Sequence, residues 1–294
     1  MNVIKIKDKK LGQNQEEHPN KYQEIVEGLK NNRFNNILFI TGAGISTSAG
    51  IPDFRSKDGC FAQVQKKYNL SYPEQLFQID SFKRNPAPFY DFCKGFNIDN
   101  CKPTKTHLFM GFLCQKNIVR RIYTQNVDGL ELKAGVPYDK MVFAHGKITE
   151  AACPLCRKEY DINILKDEYV MKDKIMYCTL CKTPIKPKVI FYGEALPLNF
   201  YFNFILIFRC DLAFIMGTSL RVTPFNFLPG KLPSNSWRVF INKEKVDDVF
   251  EFDNVYKKDL FLEGFTDEII EKLVKDVGWE EEFNNYCENI LTNL

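Results

Sequence analysis

Histidine is scarce in this chain. Its 294 residues include three, His18, His107 and His145, so few side chains are candidates for a base that titrates near neutral pH. An excess of one charge is also missing: 40 Lys and Arg stand against 37 Asp and Glu, a formal net charge of +3, which argues against nucleic acid as the main partner. No stretch reads as a membrane span, which needs about 20 apolar residues; LNFYFNFILIF at 198–208, apolar nearly all round, has 11. That segment reads as an over-hydrophobic helix offering a partner surface, or as a divergent piece of chain. The opening MNVIKIKDKK is charged and lacks the apolar core of a secretory signal. Ten cysteines fall into two close pairs and six singles, a pattern of metal binding and free thiols in a reducing compartment. Cytoplasm or nucleus is the expected location, with no membrane contact.

What is present suits a globular protein of one large domain and a smaller module: 45% of residues are apolar and the chain is long for one core. The most informative stretch is NILFITGAGISTSAGIPDFR at 36–55. Its apolar run reads as a buried strand, and Gly42, Ala43 and Gly44 as a tight turn that lets backbone approach a phosphate. The segment from Ile45, including Ser46, then opens a helix whose N-terminus attracts a pyrophosphate. Two departures make a plain dehydrogenase a poor fit: the sixth position of the glycine pattern is Thr47, and no acid follows about twenty residues later to hold a ribose. Instead Pro52 stiffens a turn that gathers Asp53, Phe54 and Arg55, a cluster suited to the ribose and nicotinamide end of a dinucleotide.

Residues 1–20 read as a disordered polar tail. Tyr22, Ile25, Val26 and Leu29 have helical spacing, 73–82 and 88–96 read as helices begun by prolines, and 107–115 as an apolar-faced helix leading into the strand IVRRIYT. Short apolar runs at 212–217 and 237–242 continue an alternation of helix and strand, the mark of a parallel α/β sheet. Two amphipathic helices, 266–275 and 280–293, pack on the core. Cys153 and Cys156, then Cys178 and Cys181, form two C-x₂-C knuckles with 21 residues between them, close to tetrathiolate zinc spacing; four unrelated buried cysteines is the other reading. Four thiolates close the coordination sphere, so the metal is structural and a zinc-dependent hydrolase is disfavoured. Gln125, Asn126 and Asp128 follow a strand and suit ribose hydroxyls and a carboxamide, or else cap a helix. His145, after the strand-like MVFA, is catalytic or structural; His107 reads as a packing or capping residue.

GAGIS with GIPDFR, TQNVDGL at 124–130, FAHG at 143–146, the two cysteine pairs, GTSL at 217–220 and INKE at 241–244 occur in this order. Over roughly residues 22–279 the chain thereby resembles the sirtuins, NAD-dependent protein lysine deacylases, closest to the branch with the cytoplasmic and yeast-type deacetylases. The resemblance implies a Rossmann-like parallel-sheet domain from 21–56, 105–150 and 188–265, a cofactor loop and helical module at 57–104, a zinc ribbon at 151–187 and C-terminal helices at 266–294. It implies one structural zinc per chain and NAD held by Gly42, Ala43, Gly44, Ser46, Asp53, Phe54, Arg55, Gln125, Asn126 and Asp128. Gly217, Thr218 and Ser219 would face the phosphates, Asn242, Lys243 and Glu244 the ribose, with Glu244 as the missing acid, and Phe265 the adenine. It makes His145 the general base and has Asn126 position a water or hydroxyl. Ile190, Phe191, Gly193 and Glu194 would wall the acyl-lysine tunnel, and the peptide of an acetylated protein, histone or not, would be clamped as an added strand against Leu220, Arg221 and Val222. Lys188 stands where the family usually has Asp, which changes substrate-side charge. Transfer of ADP-ribose to a protein, and a zinc-ribbon binding module with an inactive cofactor site, are the alternatives; joint retention of His145, Asn126, Asp128 and Arg55 weighs against the second.

The loop after the PDFR turn predicts which acyl group leaves. Relatives that take acidic acyl groups carry a Tyr and an Arg there, whereas SKDGCFAQVQ at 56–65 offers Cys60, Phe61, Ala62 and Val64, with Lys57 and Lys66 as the nearby cations. Burying a succinyl carboxylate in an apolar lining without a paired cation costs several kcal/mol. On one peptide, kcat/KM for acetyl- or myristoyl-lysine is expected to exceed that for succinyl-lysine by orders of magnitude; a succinyl rate equal to the acetyl rate contradicts this.

Overall fold

A computed structural model of the chain describes residues 20–51, 60–95, 98, 100–246 and 249–294. Nine strands occur among them: β1 (Ile37–Thr41), β2 (Val119–Thr124), β3 (Met141–Phe143), β4 (Gly146–Ala152), β5 (Glu159–Tyr160), β6 (Lys186–Val189), β7 (Leu212–Met216), β8 (Trp237–Asn242) and β9 (Asp259–Glu263). Six of them form an all-parallel sheet in the order β3-β2-β1-β7-β8-β9. All five residues of β1 and all five of β7 are buried, as a central strand covered on both faces requires. Their side chains alternate between two cores. Ile37 and Phe39 join Leu212, Phe214 and Met216 beneath the helices Lys105–Gln115, Thr266–Val277 and Glu280–Thr292, while Leu38 and Ile40 join Ala213 and Ile215 on the opposite face. This strand order is doubly wound, and it leaves a crevice where the chain departs in opposite directions from the carboxyl ends of β1 and β7.

Between β3 and β7 the chain builds a three-stranded antiparallel sheet, β5-β4-β6. It shares one core with the helices of the preceding insertion: Val64, Leu76, Phe82 and Phe89 cluster with Cys153, Cys178, Ile185 and Phe191. Phe82, Phe89 and Phe191 meet edge to face, with centroids 4.8–5.8 Å apart. The helix expected over 73–82 is broken into a 3₁₀ turn, Pro73–Phe77, and a helix, Ile79–Arg84. The reason is a backbone exchange with the later chain: Tyr192 N donates to Phe77 O (2.7 Å) and Ile79 N to Tyr192 O (3.1 Å), so these groups are withdrawn from helical pairing. The second expected helix runs over Ala87–Gly95.

The stretch 198–208 is a helix, Leu198–Asn203, that tightens into 3₁₀ turns at Phe204–Arg209. Phe200 and Ile207 are buried, whereas Leu198, Phe202, Ile205 and Phe208 stand exposed as an apolar ridge. Among the described residues no helix is long and apolar enough to cross a membrane. His107 sits where a helix cap needs it: Thr104 Oγ1 accepts His107 N, and Thr104 N donates to His107 Nδ1 (3.2 Å).

At the sheet edge β8 and β9 are tied by a nearly buried ion pair. Arg238 Nε donates to Asp259 Oδ1 (2.6 Å) and Arg238 Nη2 to Asp259 Oδ2, which also accepts Glu251 N (2.7 Å). Asp259→Ala strands a cation inside the protein, and such a loss costs about 3 kcal/mol. A denaturant titration should show the midpoint fall with an unchanged slope; an unmoved midpoint contradicts this role.

Candidate active site

A cleft of about 1170 Å³ runs along the carboxyl ends of the parallel sheet. Each of the six strands feeds it: Ala43 and Gly44 follow β1, Gln125 and Asn126 follow β2, and His145 follows β3. Gly217, Thr218 and Ser219 follow β7, Asn242, Lys243 and Glu244 end β8, and Gly264 and Phe265 follow β9. Residues 190–194 face them from the far wall, with Val222 at one side. Most of the residues singled out from the sequence therefore share one space. Asp53, Phe54 and Arg55 lie outside the described residues, as do 56–59 of the loop read for acyl preference. Val64 of that loop does not line the cleft; it is buried in the insertion's core, and its neighbour Gln65 reaches the cleft instead.

The glycine turn works differently from the expectation. Gly42 N donates to Met216 O (3.1 Å) and Gly44 N to Gly217 O (2.8 Å), so both N–H groups are used within the protein. A Cβ on Gly44 would lie 2.6 Å from Gly217 Cα, and Gly217 itself has φ +59°. These glycines let two chain segments touch. Nor does an α-helix follow: Ala43–Ile45 and Thr47–Ala49 are separate 3₁₀ turns. Side-chain hydroxyls take the carbonyls an α-helix would use, Thr104 Oγ1 on Ile45 O (3.0 Å) and Thr47 Oγ1 on Gly44 O (3.1 Å).

His145 is held by its Nδ1, 3.2 Å from Gln125 O. A carbonyl only accepts, so Nδ1 carries the hydrogen and Nε2 keeps its lone pair. Burial lowers the His145 pKa below the ordinary value, against the pull of that hydrogen bond. Gly146, at φ +77°, turns the chain directly after it, where a Cβ would lie 1.8 Å from Lys188 O. Gln125 Oε1 accepts Thr218 Oγ1 (2.7 Å), and Asn126 Nδ2 donates to Ser46 Oγ (3.1 Å), which in turn donates to Asp128 Oδ2 (2.8 Å). Gly42, Ser46 and Asp128 do not line the cleft. They are buried one layer beneath it.

The far wall is braced from behind. Lys186 Nζ, nearly buried, pairs with Glu194 Oε2 (3.0 Å), which also accepts Phe191 N (2.8 Å), and the ammonium lies 4.5 Å from the Phe191 ring centroid. Lys188, the departure from the family pattern, is paired with Glu150 (3.1 Å) and Glu159 on the antiparallel sheet and does not line the cleft. Its charge is met outside the cleft. Phe77, Phe89 and Phe92 also line the cleft; their segments read from the sequence only as helices, and nothing local marked the side open to the site.

The four cysteines converge, with every Sγ within 4.8 Å of the others. Cys153 and Cys181 are 3.3 Å apart at sulfur, and Cys156 and Cys178 are 3.5 Å apart, against about 3.8 Å for a tetrahedron with Zn–S near 2.3 Å. Tyr160 Oη and Leu180 N donate to Cys178 Sγ, at 3.2 and 3.4 Å. Burial raises the Cys178 pKa, but the Tyr160 hydroxyl and the N–H groups of Cys181 and Leu180 outweigh it and bring the thiol down to about 5. Donors aimed at a thiolate suit a tetrathiolate zinc site.

A doubly wound parallel sheet with a cleft at its strand ends, joined to a module with four convergent cysteines, defines a dinucleotide-site α/β protein with a zinc-capable ribbon. A sequence model described as the Sir2 family matches residues 42–224. The NAD-dependent protein deacetylase hst2 of Schizosaccharomyces pombe is 35% identical over 273 residues, 92% of this chain and 81% of that protein. NAD-dependent deacetylase sir2A of Dictyostelium discoideum is 40% identical over 281 residues, covering 91% of this chain and 54% of its own length. NAD-dependent protein deacetylase sirtuin-2 of Danio rerio is 42% identical over 225 residues, covering 75% and 59%. The chain belongs to the Sir2 family.

Removing one thiolate tests the metal's part. Cys178→Ala should release zinc and lower the melting temperature, because Cys178 is buried in the core shared by the ribbon and the insertion. Zinc loss without change in melting or turnover contradicts a structural role.

Proposed function

We propose that the chain is an NAD-dependent protein lysine deacetylase. The observation that carries this reading is His145: it lines a cleft at the strand ends, and its Nδ1 is tethered to Gln125 O, which leaves the lone pair on Nε2. The cleft fits a dinucleotide. Ala43, Gly44, Gly217, Thr218 and Ser219 form a backbone- and hydroxyl-rich strip for phosphates, and the exposed Glu244 at the end of β8 offers the ribose-binding acid that is missing after the first glycines. Phe265, with Lys243 Nζ 4.1 Å from its ring centroid, makes a flat wall for adenine. Gln125 and Asn126 face the other ribose, and Gly42, Ser46 and Asp128 hold them from below; Asp53, Phe54 and Arg55 are assigned to the nicotinamide end on sequence alone. Bound NAD supplies the ribose that receives the acyl group, with nicotinamide as the leaving group.

His145 Nε2 then takes a proton from a hydroxyl presented to it, while Asn126 orients a water or hydroxyl. Ile190, Phe191, Gly193 and Glu194 receive the acyl-lysine, and the peptide backbone pairs as an added strand near Val222. The apolar Phe191 wall suits a neutral acyl chain. Cys153, Cys156, Cys178 and Cys181 hold zinc for the fold only. Acetylated proteins, histone or not, are the substrates, in cytoplasm or nucleus, a placement supported by cysteine usage.

His145→Ala should lower kcat/KM on an acetylated peptide by roughly 10²–10⁴ while NAD affinity stays within a few-fold. Because burial lowers the His145 pKa, the unprotonated base persists below the usual histidine range. The acid limb of the unaltered protein's rate should therefore lie below neutral pH. Full activity in the variant, or an acid limb at or above pH 7, contradicts the assignment.

A further inference from the structure

Beneath the cleft lies a group of side chains of which two, His107 and Glu131, have no part in the reaction as described. His107, Asp128 and Glu131 are all buried, with one side-chain ligand atom from each within 4.8 Å of the others. Glu131 is the second residue of the helix Leu130–Lys133 and is 0% exposed, and neither of its carboxyl oxygens has a partner at ordinary hydrogen-bond geometry, the Thr124 hydroxyl reaching it only weakly. A bare carboxylate there would be costly. Either a cation or a proton must meet it.

The histidine decides between them. Thr104 N donates to His107 Nδ1 (3.2 Å), so the neutral ring carries its hydrogen on Nε2, which faces Ser46 Oγ at 3.5 Å. A metal ligand must present a lone pair, and this nitrogen presents a proton. Burial keeps His107 neutral despite Asp128 and Asp267. Asp267, on the helix Thr266–Val277, is engaged with Thr106, and Lys133 donates to Ile98 O and Cys101 O. Asp128 accepts from Ser46 Oγ (2.8 Å) and Leu130 N (2.9 Å).

We propose that Glu131 is a positioning residue that works as a neutral carboxylic acid: uncharged beside Asp128, it leaves Asp128 in place to accept from Ser46 and, through Ser46, to orient Asn126. Ionising both would put two carboxylates within 4.8 Å in a dry site, pulling Asp128 out of register with Ser46. Burial and the charge of Asp128 push the Glu131 carboxyl up to about 8, against the Thr124 hydroxyl. The link to catalysis rests on the deacetylase reading; the protonation itself does not.

The test compares the full-length zinc-loaded protein with Glu131→Gln, an isostere of the neutral acid. An unfolded glutamate ionises near 4.5 while the folded one holds its proton to about 8. Folding thus binds a proton in that window, and stability falls as pH rises through it. The melting temperature of Glu131→Gln relative to the unaltered protein should climb from pH 5 to pH 8 and then level. Difference infrared spectra of the unaltered protein should show a carboxylic-acid C=O band at pH 7 that Glu131→Gln and Glu131→Ala lack. Glu131→Ala should lose roughly 10- to 100-fold in kcat/KM, as when groups that orient a site's direct ligands are removed. Glu131→Gln should recover most of that loss and abolish the alkaline limb near pH 8. A pH-independent melting difference, absence of the C=O band, or a tightly held second cation besides zinc that Glu131→Gln releases would each overturn the proposal. If the acetylated peptide is not turned over at all, the melting and infrared results still decide the protonation of Glu131.

Discussion

Gly44 and Gly217 touch backbone to backbone at the carboxyl ends of two neighbouring strands, and the cleft depends on that contact. The N–H of Gly44 reaches Gly217 O at 2.8 Å, and no Cβ fits at Gly44 without overlapping Gly217 Cα. Behind it, β1 and β7 are buried along their whole length and fix the spacing of the sheet from both faces. The turns after β2, β3, β8 and β9 therefore arrive at set positions around one point. The His145 ring is held by a single hydrogen bond to Gln125 O, and Thr218 from the β7 turn holds that same glutamine through its side chain.

The opposite wall has its own source of rigidity. Residues 190–194 are held by the buried Lys186–Glu194 pair, by Ile190 N on His145 O (2.8 Å) and by the backbone exchange between Tyr192 and residues 77 and 79. That wall rests on a core to which the four-cysteine module contributes Cys153 and Cys178. Zinc in the four-cysteine site would thus act on function through packing alone: it closes the ribbon, the ribbon completes the core, and the core backs the Phe191 wall.

Much of this was legible in the sequence because it rests on local or compositional signals. The fully apolar strands, the paired knuckles and the histidine after a strand each carry their pattern within a few residues, and the chain's order of motifs located them. What escaped detection depends on distant partners. The 3₁₀ turns at 43–49 arise because Thr104, some 59 residues from Ile45, takes a carbonyl. The break at Gln78 comes from pairing with Tyr192, and Lys188 is neutralised by glutamates from two other strands. Ser46 and Asp128 lie next to cleft residues in sequence, yet their hydrogen bonds turn them inward, a choice that periodicity does not encode.

The central claim is that this cleft couples deacetylation of lysine to consumption of NAD. Mass spectrometry of an acetylated peptide incubated with the protein, with and without NAD, tests it most directly. The account predicts free peptide, nicotinamide and acetyl-ADP-ribose in equal amounts with NAD present, and none of the three without it. Deacetylation in the absence of NAD, or nicotinamide release that proceeds equally well without the acetylated peptide, would contradict it.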